Sequence, residues 1–105
     1  MVFFKDKYEK LDKMLSKLED LASEISKLPK GKTKYEKTDD SNYHYGLLLA
    51  ILYHQRQNLK NRIIYKPGTT RFMGEWNFDS RLVDLAYKTE KYMNENFEFS
   101  EPKNP

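Results

Sequence analysis

Phe4, Tyr8, Leu11, Leu15, Leu18, Ala22 and Ile25 step along the chain by 4, 3, 4, 3, 4 and 3 residues. That alternation is a heptad seam, and it predicts an amphipathic helix over 4–28. Met14, Leu21 and Leu28 widen the seam on one flank, with Lys, Glu, Asp and Ser between. Asp6–Lys10 and Glu9–Lys13 stand in the favourable acid-first i,i+4 order. Pro29 and Gly31 then break the pattern.

A second helix is expected over 41–65, capped by Asp39, Asp40 or Ser41 and ended by Lys66-Pro67-Gly68. Its two halves differ. Tyr43, Tyr45 and the run Gly46 to Tyr53 are apolar or amphipathic on every side, whereas the second half narrows to a stripe through Leu59 and Ile63. Asp79 or Ser80 opens a third helix, 79–97, with Leu82, Leu85, Ala86, Tyr92, Met93 and Phe97 on one face. The pattern thus describes a single domain over 1–97, with 98–105 as a flexible tail.

Connectivity makes this an all-α protein, an antiparallel three-helix bundle with two long connecting loops. Each connector runs to about twelve residues, where bundle loops usually take ~2–8. The first, 29–40, is lysine-rich and reads as a solvated loop. The second, 66–77, carries Phe72, Met73 and Trp76, and a type II turn fits Pro67-Gly68. A short hairpin pairing 63–65 with 71–73 is its alternative to a plain loop.

The 105 residues include no cysteine, which excludes a disulfide framework and thiol-ligated metal sites. No apolar run approaches the ~18 residues of a membrane span. Mixed charges directly after Met1-Val2-Phe3-Phe4 argue against a signal peptide, so a cytoplasmic location is expected. The net charge is +3, spread as +3 over 1–38, +2 over 39–76 and −2 over 77–105. Fifteen Lys stand against four Arg, and Arg is the better residue for bidentate phosphate or guanine contacts. Seven Asn, eight Tyr and this lysine bias are what an AT-rich coding sequence yields, as in low-GC bacteria and their phages and plasmids.

Catalytic chemistry finds no foothold. His44 and His54, the only histidines, are separated by about 1000° of helical rotation and do not share a face as paired ligands would. Ser41, Ser80 and Ser100 lie near helix starts or in the tail, and no Gly-x-Ser-x-Gly occurs. Asp39-Asp40 reads as a helix cap rather than a catalytic pair. No enzyme activity, cofactor or metal is expected.

What exceeds the needs of a bundle is the 43–53 belt. Each helix of a small bundle buries an arc of about 100° or somewhat more, and a helix apolar all round must be covered all round. The 66–77 loop, a second copy of the chain or another protein could supply the cover. The expected function is therefore a small protein-interaction module, self-associating as a homodimer or acting on a protein target. Its size suits a regulator or inhibitor of a host protein, encoded on a phage or other mobile element. The contacts named for it are Tyr43, Tyr45, Leu49 and Tyr53 on the belt, and Arg71, Phe72 and Trp76 on the loop.

The alternative is a nucleic-acid-binding protein. Arg56, Lys60 and Arg62, interleaved with Gln57 and Asn61, are the residue types that read base edges, and Lys32 and Lys34 lie in the basic loop 30–37. The long flanking connectors, however, do not give helix-turn-helix spacing.

Overall fold

Asp6 decides where the first helix begins. In a computed structural model of the protein, which describes residues 6–27, 41–74 and 78–100, its backbone is non-helical and its carboxylate accepts from the Tyr8 N–H at 2.9 Å. The helix α1 is therefore Lys7–Ser26, shorter at both ends than the expected 4–28; Phe4 and Leu28 lie outside the described residues. Leu11, Leu15, Leu18, Ala22 and Ile25 are all buried, as their spacing requires.

Three more helices follow: α2 is Ser41–Lys60, α3 is Thr69–Gly74 and α4 is Ser80–Asn96. The protein is all-α, with four helices among the described residues in place of the expected three. Two corrections to the sequence reading meet here. The second helix stops at Lys60 rather than near Tyr65, and the second connector contains the short α3 instead of a plain loop or hairpin.

The early stop has a local cause. Arg62 has φ 59°, the left-handed region. Its N–H donates to Leu59 O at 2.9 Å, and Ile63 N–H donates to Asn58 O at 3.0 Å. These two bonds are the paired closures of a Schellman motif, which normally places glycine where Arg62 stands. A non-glycine there costs roughly 1–2 kcal/mol. Opposing that cost, the Arg62 guanidinium lies 4.2 Å from the Tyr8 ring centroid and donates to Asp6 at 3.3 Å.

Beyond the turn, the chain runs back along the start of the expected tail. Ser100 N–H donates to Ile64 O at 2.7 Å, and Tyr65 and Ser100 form an isolated parallel bridge. Phe97 is buried and Phe99 packs on the core, so 98–100 is tied to the domain rather than frayed. Glu90 of α4 accepts from both the backbone and the hydroxyl of Thr70, which satisfies the first turn of α3. Asp79 caps α4 by accepting from Arg81 N–H at 2.9 Å.

α1 packs against both α2 and α4, and α3 packs against α4. The core gathers the α1 seam, Leu48, Leu52 and Leu59 of α2, Met73, Phe78, and Leu82, Ala86 and Met93 of α4. Thr89 joins them because its hydroxyl donates to Leu85 O at 2.8 Å, so its one donor is satisfied inside its own helix. The result is a flat body with extents of 49 × 41 × 19 Å.

Candidate interaction surface

The belt on α2 divides cleanly into two sides. Tyr45, Leu48 and Leu52 face inward and are buried, with Leu48 and Leu52 fully so. Opposite them, Tyr43 is 68% exposed, Leu47 37% and Tyr53 56%; Gly46, Ala50 and His54 are exposed between and beside them. Steps of 3 and 4 through 43, 46, 47, 50, 53 and 54 keep these six residues on one side of the helix. The stripe is ~17 Å long, from the helical rise of ~1.5 Å per residue.

Its chemistry is uniform. From Ser41 to Gln55 the chain has no charged side chain. His44 and His54 each set an imidazole edge-to-face against the preceding tyrosine, Tyr43 and Tyr53, at 5.7 Å between centroids. A Cβ built on Gly46 meets nothing within 4 Å, so the centre of the stripe is open as well as flat. The arrangement is also close to palindromic. Gly46 and Ala50 flank position 48, and each has a tyrosine three residues further out.

Of the four belt residues named from sequence, Tyr43 and Tyr53 lie on this surface. Tyr45 does not: it is a core residue whose hydroxyl accepts from Asp79 N–H at 3.4 Å and whose ring lies 4.9 Å from that of Phe78. Burial raises its pKa above the ordinary 10.0, with the Asp79 carboxylate adding in the same direction against the opposing pull of its backbone bond and Arg81. Leu49 is half-buried against the core. In the second connector Phe72 is also half-buried, its ring 5.7 Å from Phe78, while Arg71 is exposed. Trp76 lies outside the described residues. The aromatic series Tyr45–Phe78–Phe72 is thus core cement between α2, α3 and the start of α4.

Gly46, Leu47 and Ala50 are the surface residues that sequence reasoning missed. The signal was the i,i+4 pair of small residues; an all-round apolar helix offers no periodicity to say which side turns outward.

The basic residues are largely engaged. Arg56 donates from Nε to Asp12 at 3.0 Å and from Nη1 to Glu19 at 3.1 Å. Those bonds hold its pKa above the ordinary arginine value, the Asp12 hydrogen bond most of all. Arg62 is occupied by Asp6 and Tyr8, as described above, and Lys60 is exposed. Lys32 and Lys34 lie outside the described residues. Among the described residues, no group of three or more His, Asp or Glu could hold a metal ion, and no helix is long and apolar enough to cross a membrane.

Set against family models, curated proteins and solved structures, the chain matches none of them.

Proposed function

We propose that this chain is a protein-interaction module that pairs with a second copy of itself through the outer face of α2. The observation that carries the reading is the exposed, uncharged, near-palindromic stripe centred between Gly46 and Ala50. A two-fold axis through that midpoint sets residue i beside residue 96 minus i, so Tyr43 meets the partner copy's position 53 and Gly46 meets position 50. Such a self-complementary patch is what an isologous contact requires. Absence of charge matters too, because a net charge of +3 otherwise opposes pairing of like chains.

The long helices serve this as an antiparallel bundle, which exposes one side of α2. In support, the start of α1 meets the residue just past the end of α2 (Asp6 with Arg62) and the end of α4 (Lys7 Nζ with Asn96 O, 3.0 Å).

A standard interface buries about 800 Å² on each partner, more than one stripe of about three turns supplies. The dimer is therefore a weak one, populated at tens of micromolar. Light scattering against concentration, on the native chain and on Ala50→Glu, is the test. Mass rising toward twice the monomer in the first and staying constant in the second is expected. A native chain that remains monomeric throughout that range ends the proposal.

A further inference from the structure

On the adjoining side of α2, a cavity of about 290 Å³ opens between α1, α2, α4 and the 63–68 segment. Leu15, Leu59, Ile64 and Met93, all buried, and the half-buried Ile51 line it. The polar side chains around it are those of His54, Gln55, Asn58, Tyr65 and Lys66. Among the described residues none that lines it is an Asp or Glu, and no carboxylate pairs with exposed Lys66. An apolar hollow with a few convergent polar groups is the usual make-up of a small-molecule site.

We infer that this cavity binds a free medium-chain alkyl carboxylate, its chain on Leu15, Leu59 and Met93 and its head group at the Lys66 ammonium. Charge complementarity fixes the class: among the described residues the lining offers one lysine, Lys66, amide donors on Gln55 and Asn58, and no carboxylate. Size fixes the length. At about 290 Å³ the hollow lies at the small end of ligand pockets, ~300–1,000 Å³, which suits a chain of medium length. The apolar lining disfavours a small hydrophilic anion, which gains little there in exchange for its own hydration.

Gly68 supplies a clean control. It lines the cavity, and a Cβ built there meets nothing within 4 Å, so position 68 accepts a side chain and Gly68→Leu is expected to narrow the hollow.

The site shares His54 with the proposed dimer face, and measuring it on the Ala50→Glu chain separates the two. Calorimetric titration, with amide chemical shifts to locate the site, is run with butyrate, octanoate and octanol below micellar concentrations. Octanoate is expected to bind and to shift amides of 54–68, with butyrate weaker. Octanol falls about tenfold short of octanoate, the worth of one charge-assisted hydrogen bond. Lys66→Glu removes that advantage while leaving octanol binding as it was, and Gly68→Leu weakens both. Equal affinity for octanol and octanoate, indifference to Lys66→Glu, or no octanoate binding to the folded chain overturns the inference.

Discussion

Arg56 Nε donates to Asp12 Oδ1 at 3.0 Å, a bond between residues 44 apart that ties the last third of α2 to the first half of α1. The other arm of the same guanidinium reaches Glu19, whose second oxygen is buried with no hydrogen-bond partner among the described residues. One fork thus spans two carboxylates. Replacing it with alanine leaves Glu19 charged and half-sheltered, at an expected cost of about 1–2 kcal/mol for these partly exposed groups. Lysine at 56 recovers less than half, because an ammonium cannot reach both acids in a fixed plane. Urea unfolding of Arg56→Ala, Arg56→Lys and Arg56→Ala with Glu19→Gln checks this; the last should regain stability over Arg56→Ala alone.

Leu47 and Leu48 are neighbours in sequence with opposite fates, 37% and 0% exposed. Leu48→Ala should cost about 2–5 kcal/mol through lost burial and the cavity left behind. Leu47→Ala, measured at monomeric concentration, should lie within about 0.5 kcal/mol of the native chain. Equal costs in thermal or urea unfolding would mean that α2 is turned differently from the description above.

Gly46 separates stability from association. It sits inside a helix with open space where its Cβ would be, so Gly46→Ala should stabilise the monomer by about 0.8–1.0 kcal/mol through helix propensity alone. Gly46→Trp also fits the monomer, yet it places an indole at the centre of the proposed contact. Sedimentation should then show the tryptophan variant monomeric at concentrations where the native chain pairs.

Tyr45 makes the fold sensitive to alkali. Its folded pKa is raised, chiefly by burial, above the ordinary 10.0, so the folded chain holds that phenolic proton more tightly than the unfolded one does. The stabilisation is complete below pH about 10 and is lost as pH rises toward the folded value. Tyr45→Phe should make the alkaline limb of a stability-against-pH curve shallower. At neutral pH it should cost no more than about 1 kcal/mol, since the bond that its hydroxyl accepts from Asp79 is long.

From Leu11 to Ile25 the α1 seam was legible residue by residue, because one side of that helix is apolar and the other charged. The inward side of α4 was nearly as plain, except at Thr89, where polarity hid a residue whose hydroxyl is satisfied within its own helix. Reading failed in two places for physical reasons. Arg62 ends α2 in a conformation that glycine usually marks, and its support from Tyr8 and Asp6 comes from the far end of the sequence. The facing of the belt was hidden because apolar residues surround that part of α2. Only the packing of α1 and Phe78 selects Tyr45 for the interior and Tyr43 and Tyr53 for the outside.

Because α1 is the element against which both α2 and α4 pack, it is the keystone of the assembly, and the two unions close over very different lengths of chain. Joining α1 to its successor closes the shorter of the two stretches of chain, whereas α4 must return from the far end at a greater entropy cost. Amide hydrogen exchange should therefore find α4 opening first, with the pair formed by α1 and α2 surviving as the last ordered remnant.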